Sequence, residues 1–94
     1  MINPKEALKI AKNNPYKGTA KQIAKLSISI AQSAQIFDPS VFALYKEKIN
    51  ISPKIFSKLK VIGETLLEVK EQERNLLINQ FPDSYTTIHI LCSI

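Results

Sequence analysis

Apolar positions along the chain recur every three to four residues and nowhere alternate over a useful length, so the pattern predicts helices from end to end. The clearest stretch is residues 20–36. Ile23, Leu26, Ile30 and Ala34, with Phe37 just beyond, fall on one side, and Lys21, Lys25, Ser29 and Gln32 fall opposite. At about 1.5 Å per residue such a helix spans roughly 25 Å, about the width of a small domain, and it is the expected scaffold. A short amphipathic helix over 4–12 precedes it and ends at Asn13-Asn14-Pro15, because proline disfavours helical geometry in the residue before it. Two further helices follow. One over 39–48 carries Val41, Phe42 and Tyr45, with Ile49 next, and one over 53–62 carries Ile55, Phe56, Leu59 and Ile62. Gly63 is the expected stop of the latter, since glycine readily takes the left-handed conformation that closes helices. Leu76, Leu77 and Phe81 predict a fifth helix over 68–80 halted by Pro82, and Tyr85, Ile88, Leu91 and Cys92 predict a sixth. Only the β-branched residues 84–94 resemble a strand. The expected fold is all-α, a compact single-domain bundle of five to six short helices.

Helix starts are marked with unusual clarity. Asn3-Pro4, Asp38-Pro39 and Ser52-Pro53 each pair a side-chain acceptor at the cap with proline at the first helical position, where the missing N–H is harmless. Asn3 with Glu6, and Thr19 with Gln22, have the spacing of a capping box. Asp83 is the expected cap of the last helix.

Residues 38–63 combine these signals into two short helices joined by a tight turn, the skeleton of a helix-turn-helix whose second helix enters the DNA major groove. Tyr45 and Ile49 from the first helix, Ile51 from the turn, and Phe56 and Leu59 from the second have the spacing that holds such helices at a steep angle. Asn50 stands where the turn needs a residue tolerant of the left-handed region. Outward residues near the start of the second helix are then the candidate base contacts: Ser52, Lys54, Ser57 and Lys58. Lysine suits guanine O6 and N7, and serine meets either kind of base edge. Lys46, Lys48 and Lys60 are the candidate phosphate contacts. The same two helices also make an ordinary hairpin in a bundle.

Charge sharpens that choice. The chain of 94 residues has a net charge of +5, but residues 1–60 hold eleven lysines against Glu6, Asp38 and Glu47, or +8. Residues 61–94 hold Lys70 and Arg74 against Glu64, Glu68, Glu71, Glu73 and Asp83, or −3. A basic front and an acidic remainder generate a polarised field that steers a polyanion to one side. A hydrophobic fraction of 45% suits one modest core in a chain this short. Cys92 is the lone cysteine, which excludes an intramolecular disulfide and favours a cytosolic setting. No apolar run reaches the roughly 20 residues that cross a bilayer, and the start lacks a signal core, so neither a membrane nor secretion is expected.

Catalytic signals are missing. With Gly18 and Gly63 as the only glycines there is no phosphate loop, no activated nucleophile is paired with a base, and the glutamates have no fixed cationic or nucleophilic companion. His89 and Cys92 share a helical spacing but lack the further ligands that a structural zinc site needs. A non-enzyme without metal or cofactor is expected. Tyr16, in a loop between Lys12 and Lys17, is the one aromatic placed to stack on a nucleic-acid base.

The stretch Ile51-Ser52-Pro53-Lys54-Ile55-Phe56-Ser57-Lys58-Leu59-Lys60-Val61-Ile62-Gly63 resembles the recognition helix of the ParB/KorB-type helix-turn-helix proteins, which partition or regulate plasmids, phages and chromosomes. Phe81-Pro82-Asp83-Ser84-Tyr85-Thr86-Thr87-Ile88 resembles a Leu-Pro-x-Ser-Tyr-x-x-Leu phrase that follows the motif in small phage and plasmid DNA-binding proteins. The resemblance covers about residues 40–94 and implies a DNA-binding module of a mobile genetic element, a partition, replication or transcription regulator. It does not extend to CTP binding, because the arginine-rich nucleotide motifs of full ParB proteins are absent. Lys46 departs from that family's pattern, which favours a small alanine there, and crowds the inter-helix contact unless its stem snorkels. Double-stranded DNA is the expected partner, and a homodimer suits paired half-sites. The rival expectation is a small phage-type protein-interaction module, an inhibitor of a host protein. The apolar pattern runs to Ile94 without a closing glycine, lysine or polar tail, which predicts that the chain fronts a longer polypeptide or that its last helix faces a protein partner.

Overall fold

The computed structural model of the chain describes residues 2–94 and measures 34 × 25 × 24 Å. Its described residues form six helices and no strand: α1 Pro4–Asn13, α2 Ala20–Ile36, α3 Pro39–Ile49, α4 Pro53–Glu68, α5 Glu71–Asn79 and α6 Tyr85–Cys92. None is long and apolar enough to cross a membrane. The all-α bundle expected from apolar spacing is thus the fold, with four of the six helices starting at the expected positions and three of those capped by the expected side chain.

The core is built on the crossing of α2 and α4, the most extensive helix pairing in the molecule. Ile23, Leu26 and Ile30 of α2 meet Phe56, Leu59, Ile62 and Leu66 of α4, all buried. α6 also packs on α4 and contributes the fully buried Ile88. α1 packs on α2 and α3, while α5 rests on α2 through Ile78.

Gly63 departs from the expected role. α4 continues five residues past it to Glu68, and no glycine among the described residues has positive φ. The reason lies across the interface. A Cβ at position 63 would collide with the backbone carbonyl of Ser27 and the Cβ of Ala31, so Gly63 is where α4 lets the α2 backbone approach. Arg74 then closes α4. Its Nε donates to Leu66 O at 2.9 Å, alongside Val69 N at 3.2 Å, and its Nη2 donates to Val69 O at 3.2 Å, so the guanidinium supplies donors to carbonyls at the helix end.

Caps are also redistributed. Asn3 accepts from Glu6 N and Ser52 from Ile55 N, and Thr19 with Gln22 forms the complete reciprocal box. Asp38 makes no side-chain cap bond. Ser84, not Asp83, caps α6 by accepting from Thr87 N. The Asp83 carboxylate instead accepts from Ala20 N at 2.7 Å, which fixes the start of α2 to the segment leading into α6. Tyr16 and Tyr85 reinforce this junction edge to face, their ring centres 5.4 Å apart. Tyr16, half-buried in this contact, is therefore part of the packing rather than a free stacking platform.

Two burial expectations change as well. Ser29, placed opposite the core by spacing, is buried, with Ser33 near the same site. Leu76, placed in the core stripe of α5, is 64% exposed, and Ile78 takes the buried position.

Candidate nucleic-acid interface

The segment joining α3 to α4 takes the geometry that the sequence requires of it. Asn50 is the one non-glycine residue with positive φ, at φ 53° and ψ 45°, among the described residues. Asparagine tolerates this region because its short polar side chain can bond locally. Two residues later Ser52 caps α4 and Pro53 opens it. Pro53 has no N–H, Ile55 N bonds Ser52 Oγ at 3.4 Å and Phe56 N bonds Ser52 O at 2.9 Å, which leaves the Lys54 amide as the orphan donor of the first turn.

Burial of Phe56, Leu59, Ile62, Gly63 and Leu66 fixes the orientation of α4. Lys54 and Ser57 are exposed on the opposite face, and Lys58, one turn beyond Lys54, is half-buried on its flank. Ser52 is exposed at the start of the same helix, with its Oγ engaged in capping. Four of the sequence-predicted contacts, Ser52, Lys54, Ser57 and Lys58, are thus gathered on the N-cap and first two turns of α4. Farther along the same outward face Val61 gives way to Glu64 and Glu68, both exposed, so the face changes sign along its length.

The three other lysines do not form one group. Lys46 Nζ sits 5.1 Å from the centre of the Phe56 ring and 5.9 Å from that of Phe42, and those two rings lie 5.8 Å apart. Its stem crosses the angle between α3 and α4 and the ammonium stays over the ring faces, an arrangement that stabilises by about 0.5–1 kcal/mol at an exposed site. Lys46 is thereby accommodated at the contact between the two helices. Lys60, one helical turn beyond Phe56, lies on that same flank of α4. Lys48 belongs elsewhere. It turns toward α1, where Lys48 and Ile49 of α3 share a groove of about 350 Å³ with Leu8, Ala11 and Lys12 of α1. Lys12 was not among the sequence-predicted contacts. Its visible signal was a lysine in the last turn of α1, which also complements the helix dipole.

α3 itself is seated from behind. Tyr45 is 2% exposed and directed at α2 rather than α4, its hydroxyl facing Ser29 and Ser33. No two of these hydroxyls close to hydrogen-bond geometry, but the serines lie near enough to favour a phenolate slightly. Burial outweighs them and raises the Tyr45 pKa. Phe37 and Phe42 surround the ring at 6.1 and 5.9 Å between centres.

Two other grooves have different chemistry. One of about 530 Å³ between α2 and α5 mixes Lys21 and Lys25 with Glu71 and with Arg74, whose guanidinium already serves the end of α4. Another, of about 330 Å³, is largely apolar and is lined by Thr65, Leu77, Phe81, Leu91 and Cys92. Burial raises the Cys92 thiol pKa, with the Thr65 hydroxyl opposing. No group of three or more His, Cys, Asp or Glu side chains able to hold a metal ion occurs among the described residues.

No protein-family model, curated protein or solved structure matches the chain.

Proposed function

We propose that the chain is a double-stranded-DNA-binding helix-turn-helix module that serves a mobile genetic element in partition, replication or transcription control. The observation carrying this reading is the outward cluster of Ser52, Lys54, Ser57 and Lys58 on the first two turns of α4, after a turn set by Asn50. Lys54 and Ser57 reach base edges, while Lys46 and Lys60 approach phosphates from the flank. The likeness of residues 51–63 to the ParB/KorB-type recognition helix supports the assignment, as does the +8 charge of residues 1–60. Two copies are compatible with paired half-sites. Nothing in the reading requires catalysis.

The test is an anisotropy titration with duplex DNA across salt concentrations. If about four lysines neutralise phosphates, log affinity falls against log salt with a slope of roughly −3.6. Lys54→Ala changes the preference among sequences, whereas Lys46→Ala weakens all of them alike. Negligible binding at low salt, or a flat salt response, overturns the proposal.

A second reading is favoured by one observation: Ile90, Leu91 and Ile94 at the end of the chain are 56%, 49% and 98% exposed. An apolar helix end of this kind suits a protein partner, as in a small phage-type inhibitor of a host protein. Recovery of one protein after nuclease treatment, together with negligible DNA affinity, distinguishes that role.

A further inference from the structure

We propose that α1 takes part in DNA binding, with Lys12 and Lys48 forming a phosphate clamp across the α1–α3 groove. This rests on the DNA-binding reading and adds a helix to it. The two lysines come from the last turns of different helices, yet they line one groove whose floor is Leu8, Ala11 and Ile49. A second concavity, lined by Pro4, Val41 and Leu44, shares Leu8 and Lys48 with it, so the two follow the α1–α3 seam. Both lysines are exposed.

Dipole compensation explains a lysine at either helix end separately. It does not explain why both face the same concavity. Two like charges bordering one concavity favour an anion that bridges them. A phosphodiester fits the chemistry: it presents two anionic oxygens to two point charges that carry no rigid fork and hence no demand for a planar ligand. The extended, open seam suits a continuous backbone better than a small enclosed ligand. Its position supplies the continuity. Lys48 stands two residues before the Asn50 turn that starts α4, so the clamp adjoins the proposed base-contacting helix on the side away from Lys46. A duplex read by α4 would then be held on two flanks, by Lys46 and Lys60 on one and by Lys12 and Lys48 on the other.

The full chain and its Lys12→Ala, Lys21→Ala and Lys54→Ala variants are titrated with the same duplex between 50 and about 200 mM salt, a range in which phosphate contacts dominate affinity. Lys12→Ala should weaken all sequences similarly, by about five- to tenfold near 0.1 M salt, and reduce the magnitude of the salt slope by about 0.9. Lys21→Ala removes the same charge from the α2–α5 groove and should leave the slope nearly unchanged. Circular dichroism melts show whether Lys12→Ala keeps its fold, and Lys12→Arg should restore binding because it restores the charge. Binding by the wild type and loss of sequence preference in Lys54→Ala, with Lys12→Ala matching the wild type in affinity and slope, overturns the clamp while leaving the DNA-binding reading intact. Equal losses in Lys12→Ala and Lys21→Ala also overturn it, since they show a diffuse charge effect. Absence of wild-type binding overturns both.

Discussion

Tyr45 brings a titratable group into an interior otherwise made of aliphatic side chains, Phe56 and the buried serines Ser27, Ser29 and Ser33. Its ring is wedged between Phe37 and Phe42, and its hydroxyl faces buried Ser29 and Ser33 without a formed hydrogen bond. Burial disfavours the phenolate and raises the pKa above its ordinary value of about 10. Below that value the folded and unfolded chains both hold the proton and stability is unaffected. Above it the unfolded chain releases a proton that the folded chain retains, so stability falls as pH rises toward the folded-state pKa. The loss approaches about 1.4 kcal/mol per pH unit for one proton. Urea midpoints measured from pH 9 to 11 should therefore drop more steeply for the wild type than for Tyr45→Phe, and equal slopes would contradict the assignment. Ser29 was not legible as a core residue because its hydroxyl reads as solvent-facing in a heptad. Its burial follows from a tyrosine that arrives from α3.

At the scale of elements, Gly63 sets the closeness of the α2–α4 crossing. Alanine is favoured over glycine inside a helix by about 1 kcal/mol. Against this, the added methyl would press on the Ser27 carbonyl, a backbone atom that moves only if the helix moves. Overpacking of this kind costs about 1–3 kcal/mol, and the rigid neighbour places the case at the upper end. Gly63→Ala should thus be destabilised by about 1–2 kcal/mol net, lowering the melting temperature by roughly 4–16 °C for a domain near this size. A melting temperature at or above the wild type would show that the crossing can widen freely. The starts of α1 to α4 were legible because caps and prolines act within a few residues. The end of α4 was not, since a glycine that closes a helix and one that admits a neighbouring backbone look alike locally. Asp83 poses the same problem. Its acid side chain precedes a helix, but the amide it serves belongs to Ala20, and only the tertiary fold brings the two together.

Across the whole molecule, charge and shape divide along α4. The described core holds this helix by one face, so its other face carries both the proposed contact residues Lys54 and Ser57 and, beyond Val61, the exposed Glu64 and Glu68. The +8 segment of residues 1–60 and the −3 segment of residues 61–94 therefore meet on one helix surface rather than at a linker. The sequence displayed this sign change in order. It did not display that α4 runs to Glu68 and carries the acidic pair on the same rod as the basic cluster. A duplex lying on the first two turns would have its phosphates repelled by the distal glutamates within about one Debye length, about 10 Å at 0.1 M salt. In the proposed complex this repulsion would limit how far DNA can lie along the helix and so favour one register. Glu64→Gln combined with Glu68→Gln should raise affinity for duplex DNA severalfold at 50 mM salt, with a smaller gain at higher salt because screening already weakens the repulsion. The double variant should also discriminate less among sequences, since the gain is electrostatic and applies to any duplex. Comparing specific and scrambled duplexes at two salt concentrations reads both effects, and unchanged affinity would place the bound DNA away from the outward face of α4.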